Sequence, residues 1–542
     1  TFPGGRSYDG LWANTSFEHL GVHPALVNSL EAQDIVRPTV VQAEAFQPIV
    51  RGRDVILRAE TGSGKTLAYL LPLVNRIYHL HERAKKAAEA DPEAPNPLQR
   101  TRPWVVLTPT SDLAAQVLAM LEAIDGNRLV NAQSLSHLFR WEATRRIGQL
   151  TLQEGFQSPK PKERTVLPSK LSAGTSEGPR GAQTTSYASL APQIRWGSTD
   201  IVVTTPLKFC EDLEHFKEDR FYPACVIMDE ADALFQGLTR VYLFEIFKTL
   251  RPRLKIRQLD EEREPLPEMI PTQFIFAAAT YVHVGPFSEG NMLIERFGTA
   301  QVVETKYFHG LPSGIGVDNV RWLNGSDDWH QRVEELVEVL RRTPCQRTLI
   351  FVNSVHNCHV LLQFFKENGW PVVSFMKGPR GRMGPRFRDA QKFADGEANI
   401  MIATEFGGRG IDWHEVDHVV NFQMPMGAVN WLHRVGRTGR MGKRGLVTNF
   451  VGSKDKTLAE LIQGQLLAGK DLHTLFSRRR SLRRRLRQEQ KTGSGDSGES
   501  PQGMDGGLEL FQDSDMNEDG QLIGYLSTPK LEQQAKGRRP PK

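Results

Sequence analysis

Ala59-Glu-Thr-Gly-Ser-Gly-Lys-Thr66 and Asp229-Glu-Ala-Asp232 decide how this chain is built. The first stretch has the spacing of a phosphate-cradling loop. Gly62 and Gly64 let backbone N–H groups converge on phosphate oxygens, Lys65 neutralises their charge, and the Thr66 hydroxyl suits a Mg²⁺ shell. Ala59, Thr61 and Ser63 complete the loop. Upstream, Asp54-Val-Ile-Leu57 reads as a buried strand; downstream, Leu67-Ala-Tyr-Leu-Leu71 opens an apolar-faced helix whose N-terminus meets the anion. The second stretch follows the apolar run Ala224-Cys-Val-Ile-Met228. That order sets two carboxylates at a strand's carboxyl end, Asp229 for the metal and Glu230 to orient or deprotonate a water. A glycine-rich loop can arise by accident; the two motifs together leave little room for that.

The chain has 542 residues, too many for one compact core. With 39% hydrophobic and 24% charged residues it has the make-up of globular material. A net charge of +5 is too small to identify a partner. Cys210, Cys225, Cys345 and Cys358 are widely spaced with no CxxC pair, which argues against a disulfide frame or a zinc site. No apolar run approaches the roughly 20 residues of a membrane span. The first residue is Thr1, and a removed targeting segment is one reading of that start.

Strand-like apolar runs alternate with helical patterns from about Phe17 to Glu304, and again from near Gly316 to about Phe450. Such alternation predicts βαβ units and two parallel sheets. The expected organisation is a first lobe over residues 1–304, a hinge over 305–315 and a second lobe over 316–470, with a basic helix and tail over 471–542. The hinge expectation rests on the Gly- and Pro-containing stretch Lys306 to Gly316. Glu82 to Arg100 is expected to extend a helix into a loop. The Ser-, Pro- and Gly-rich stretch at about 150–195 is expected to be a disordered surface insertion.

Taken together, these motifs resemble the DEAD-box family of ATP-dependent RNA helicases over roughly residues 16 to 455. The resemblance implies an α/β fold of two RecA-like lobes in tandem, with ATP and Mg²⁺ between them and RNA across both. Phe17 and Pro38-Thr-Val-Val-Gln42 look like the family's adenine-reading element, with Gln42 on the adenine edge and Phe17 stacked on its ring. The bland alternative is a core ring and a solvated amide. Leu349 to Ser354 resembles the motif-IV strand, and Thr404-Glu-Phe-Gly-Gly-Arg-Gly-Ile-Asp412 resembles TDxxxRGxD. There Gly410 and Asp412 would help order the nucleotide. His433-Arg-Val-Gly-Arg-Thr-Gly-Arg440 fits HRxGRxGR at every fixed position. Arg437 and Arg440 would reach the γ-phosphate once the lobes close, beside Lys65 and Glu230 as the catalytic set. RNA contacts carried over from the family fall on Pro109, Thr110, Thr205, Pro206, Arg386, Thr404 and Arg409. ATP and RNA would both favour the closed state, so their binding would be reciprocally coupled.

Several positions depart from the family pattern. Ser111 stands where PTRELA has arginine, Leu207 where TPGR has glycine, Glu405 where an aspartate is usual, and Met383 where QxxR has glutamine. Ala278-Ala-Thr280 replaces SAT, which removes a hydroxyl expected to couple the DEAD carboxylates to closure. The expected function is an RNA-remodelling ATPase in ribosome or ribonucleoprotein assembly, with ribosomal RNA, ribosomal proteins and assembly factors as partners. The alternative is an ATP-clamped RNA-binding factor that does not unwind. Seven arginines between Arg478 and Arg487 fit RNA or ribonucleoprotein docking, while a nuclear-localisation signal and a solvated helix face stay open. The expected compartment is mitochondrial, with nucleolar, nuclear or cytoplasmic alternatives.

Neither zinc nor calcium is expected. Asp513 to Gly524 resembles a calcium loop, but Glu518 and Gly524 occupy positions that need glycine and a bidentate carboxylate. His356, Cys358 and His359 are too closely spaced for a structural zinc site.

Overall fold

A computed structural model describes residues 10–91, 102–134, 199–219, 223–237, 239–251, 272–281, 289–312, 314–322, 329–343, 345–376, 384–405, 416–453 and 455–476. The expected insertion, the arginine-rich segment, the tail and the calcium-like loop lie outside the described residues.

The first lobe holds a seven-stranded sheet. Its strands are β1 (Val55–Arg58), β2 (Trp104–Leu107), β3 (Ala132–Ser134), β4 (Ile201–Thr204), β5 (Cys225–Asp229), β6 (Gln273–Ala278) and β7 (Gln301–Glu304). Their order is β3-β4-β2-β5-β6-β1-β7, and every pairing is parallel. The second lobe has six: β8 (Ile315–Trp322), β9 (Thr348–Val352), β10 (Val372–Phe375), β11 (Ile400–Thr404), β12 (His418–Asn421) and β13 (Gly445–Val451). They run β10-β11-β9-β12-β13-β8, again all parallel.

The inner strands are buried on both faces, as parallel sheets covered by helices require, while edge strand β7 exposes three of its four residues. Successive residues of one strand feed opposite layers. Val55 and Leu57 of β1 pack in the core under the helix Lys65–Ala90, while Ile56 joins the core under Thr239–Leu250. Burial of each such aliphatic side chain contributes about 1.5–3 kcal/mol. The order β5-β6-β1 has a direct consequence for the site. The ends of β5 and β1, which carry the two motifs, flank the end of β6, which carries Ala278 to Thr280.

One expectation about boundaries changes. The second lobe does not end at 470, because Leu472, Leu475 and Phe476 are buried in its core. The linker itself is packed. Thr305 Oγ1 donates to Glu60 Oε2 of the glycine-rich loop. His309 Nε2 accepts from Tyr281 N–H at 3.0 Å, and its carbonyl accepts from Leu472 N–H at 2.9 Å. The His309 ring meets Phe476 edge-on at 4.7 Å. One linker residue is thus bonded to both lobes.

Candidate nucleotide site between the lobes

Gly62 and Gly64 both have left-handed backbones, with φ of 80° and 88°. Such angles favour glycine and turn the loop tightly before the helix Lys65–Ala90. The first-turn N–H groups of that helix have no carbonyl of a preceding turn to bind, so they suit an anion. Lys65 Nζ donates to Ala59 O at 2.7 Å and Glu60 O at 2.8 Å, which pins the ammonium inside the loop. Burial pulls its pKa below the usual amine range, opposed by the charges of Glu60, Asp229, Asp232 and Glu230.

Asp229 ends β5, buried, and its Oδ1 accepts from Glu230 N–H at 3.0 Å. Burial first, then the neighbouring Glu230 charge, raises its carboxyl to about 6. Glu230 has φ 47°, a left-handed conformation that costs a non-glycine residue on the order of 1 kcal/mol or more and is common at functional sites. The donors gathered here are hard oxygens, the Thr66 hydroxyl and carboxylates in excess over Lys65. That set fits Mg²⁺, which such ligands favour and whose charge would offset the surplus.

The second lobe closes this face. A Cβ built on Gly436 would lie 1.5 Å from Thr61 Oγ1, so the helix Ala428–Val435 reaches the phosphate loop at a point where only glycine fits. A Cβ on Gly62 would lie 2.8 Å from Arg440 Cγ, which sets Arg440 directly over the loop. Arg437 is buried at the same junction, and its Nε donates to His433 O at 3.1 Å. A small cavity there is lined by Glu60, Thr61 and Ala279 from the first lobe, Leu432 and Gly436 from the second, and Gly310 of the linker. A larger cavity of about 340 Å³ lies in the second lobe between the linker and the helix Lys456–Leu467, and meets the smaller one at Leu311 and Pro312.

The interlobe contact is polar at its centre. Thr280 Oγ1 donates to Asp232 Oδ2 at 2.5 Å and lies 3.4 Å from His433 Nε2, which is itself 3.0 Å from Asp232 Oδ2. Ala278 lacks the SAT serine hydroxyl, and Thr280, two residues later, links Asp232 of the DEAD element with His433 of the second lobe. Thr280→Val should lower RNA-stimulated turnover about tenfold, the size of one hydrogen bond to a charged group, with little change in nucleotide affinity. Steady-state rates with and without RNA check this. An unchanged stimulated rate would dismiss Thr280 as a coupler.

Other expected residues sit differently. Phe17 is 1% exposed, packed in the first-lobe core, and offers no open face for stacking. The Gln42 amide is engaged at both ends, with Oε1 accepting from Thr39 N–H at 2.9 Å and Nε2 donating to Gly64 O at 3.3 Å. It therefore braces the phosphate loop. Thr404 and Pro206 are buried, so their side chains are not free to meet a nucleic-acid backbone. Pro109, Thr110 and Thr205 are half-buried, and Thr110 Oγ1 caps the helix Ser111–Ile124 by accepting from Leu113 N–H at 3.3 Å. Arg386 belongs to the helix Gly384–Ala394. Arg409, Gly410 and Asp412 lie outside the described residues.

The sequence reading missed Arg434. It is 1% exposed and donates to Gln423 O and Asn353 Oδ1, each at 2.7 Å, and pairs with Glu405 at 3.4 Å. It ties β9, β11 and β12 behind the arginines that face the cleft. Its signal was its place in HRxGRxGR, one residue from His433. Among the described residues no cluster could hold a further metal ion, and no helix is long and apolar enough to cross a membrane.

A phosphate loop, an Asp-Glu pair and cross-cleft arginines on two parallel-sheet lobes define a two-lobed P-loop nucleotide-binding protein of helicase architecture. The chain matches the DEAD/DEAH box helicase family over residues 39–145 and the helicase conserved C-terminal domain over 331–442. Over both matched segments the chain is similar to DEAD-box helicases. DEAD-box ATP-dependent RNA helicase 39 of Arabidopsis thaliana is 26% identical over 481 residues, covering 88% of this chain and 65% of that protein. ATP-dependent RNA helicase SrmB of Escherichia coli is 26% identical over 448 residues, covering 82% and 80%. The chain spans 52% of another relative, DEAD-box ATP-dependent RNA helicase 50 of Arabidopsis thaliana. Saccharomyces cerevisiae Dbp5 bound to RNA and ADP BeF3 shares the fold, with a TM-score of 0.57 at 19% identity, covering 83% of this chain and 93% of that one.

Proposed function

We propose that this chain is an ATP-dependent RNA-remodelling ATPase that grips single-stranded RNA when its lobes close and lets go when they part. The observation that carries the reading is the contact of Thr61 and Gly62 with Gly436 and Arg440 across the cleft. ATP bound there with Mg²⁺ would supply the terminal phosphate that both lobes share. Lys65, Thr66 and Asp229 would hold that nucleotide from one side, and Arg437 and Arg440 would balance charge on its γ-phosphate from the other. Glu230 would orient the water. Because closure is shared, nucleotide and RNA favour the same state and each tightens the other.

A steady-state ATPase assay with and without RNA tests the reading. Stimulation of about tenfold or more, equivalent to about 1.4 kcal/mol of barrier, is expected. Absence of both nucleotide binding and hydrolysis would overturn it. Glu230→Gln should lower turnover about a hundredfold while an ATP analogue still binds, as expected on removing a general base. Unimpaired turnover in that variant would remove Glu230 from the chemistry.

A second reading, an ATP-clamped RNA-binding factor without turnover, draws on Leu207. It is 44% exposed where family members carry a glycine that admits the nucleic acid closely. RNA retention with an ATP analogue but no stimulated hydrolysis would favour it. Ribosome or other ribonucleoprotein assembly is the setting we propose, supported by the arginine-rich stretch Arg478 to Arg487 as phosphate-binding chemistry. Crosslinking of RNA to the full-length protein in its native particle tests that setting.

A further inference from the structure

Tyr69 lies in the second turn of the helix Lys65–Ala90, fully buried beneath the phosphate loop. Its hydroxyl donates to Asp229 Oδ2 at 3.0 Å, joining two residues 160 positions apart. Burial, reinforced by the Asp229 charge, pushes the phenol well above its ordinary range, so it remains a protonated donor. A phenol has one proton to give, and here it goes to the carboxylate.

The geometry points to Tyr69 as a positioning residue that orients Asp229, a side chain assigned to Mg²⁺, through a buried hydroxyl. The physical need is plain. A carboxylate fixed by Tyr69 at Oδ2 and by Glu230 N–H at Oδ1 cannot rotate freely, yet each oxygen keeps lone pairs for a metal. Partners of this kind commonly set ligand orientation, and their loss costs about 10–100-fold in metal affinity. The ordinary alternative is a core tyrosine that merely satisfies its own hydroxyl. Both readings predict burial, but only positioning predicts an effect specific to the metal.

The inference rests on the nucleotide reading above, and the experiment separates the two. Full-length wild-type and Tyr69→Phe proteins are titrated with Mg²⁺ at a fixed concentration of a fluorescent adenine nucleotide, and binding is repeated in EDTA. Phenylalanine keeps the ring and removes only the hydroxyl. Expected is a Mg²⁺ half-saturation raised about tenfold or more, with unchanged binding in EDTA. The rise in melting temperature that Mg²⁺ adds to the nucleotide-bound protein should shrink in parallel. Wild-type Mg²⁺ dependence in the variant overturns the proposal, as does an equal loss with and without Mg²⁺, which marks a packing role. Binding reports on folded protein, so a lower yield of the variant does not rescue the idea. If wild-type protein binds no nucleotide under any condition, the nucleotide reading itself has failed.

Discussion

Lys65→Ala should lower adenine-nucleotide affinity by about three orders of magnitude, roughly 4 kcal/mol. Two losses combine. The ammonium no longer meets the phosphates, at about 1.5–3 kcal/mol for a charge-assisted contact. In addition, Asp229, Glu230, Asp232 and Glu60 lose the cation among them, and their surplus charge then repels an incoming polyphosphate. Lys65 also holds the loop together through Ala59 O and Glu60 O, so the variant's empty loop should be less ordered. Equilibrium binding of a fluorescent ATP analogue measures the effect. Near-wild-type affinity would mean that the phosphates bind elsewhere.

What could be read in advance follows from how far each signal reaches along the chain. Apolar runs such as Val55 to Leu57 and Cys225 to Met228 carry their own burial, so both parallel sheets were legible. The phosphate loop and the Asp-Glu pair were legible because all their parts are adjacent. Contacts that depend on strand order were not. Thr280 meets Asp232 from 48 residues away and His433 from 153, and only the placement of β6 between β5 and β1 brings them together. The partners of the Thr280 hydroxyl therefore had no local signal, although the residue itself stands in the Ala278-Ala-Thr280 element.

Phe17 and Gln42 show a different limit. Residue type and spacing suggested groups facing a ligand, whereas the ring completes a core and the amide braces Gly64. Spacing along the chain cannot tell a side chain that faces a site from one that supports it. The linker's contacts were hidden for a related reason. Gly and Pro mark where a chain can bend, but not whether Thr305 and His309 find partners once it has.

Arg437→Ala should reduce RNA-stimulated turnover about a thousandfold, in the range of cross-site arginines that stabilise a transferring phosphoryl group. The side chain is buried at the interlobe junction, next to the glycine that touches Thr61. Its charge is therefore presented in a poorly solvated place, where it acts strongly on a developing anion. Because the guanidinium arrives only with closure, nucleotide binding to the first lobe should survive far better than turnover. Arg437→Lys should not restore the rate, since an ammonium lacks the planar fork that meets two phosphate oxygens at once. Arg434 provides the internal contrast, because it bonds Asn421, Gln423, Asn353 and Glu405 within the second lobe. Its loss should show first as a lower melting temperature, whereas that of Arg437 should show first in single-turnover hydrolysis. Single-turnover rates for Arg437→Ala within about threefold of wild type, less than 1 kcal/mol of barrier, would place the catalytic charge on another residue.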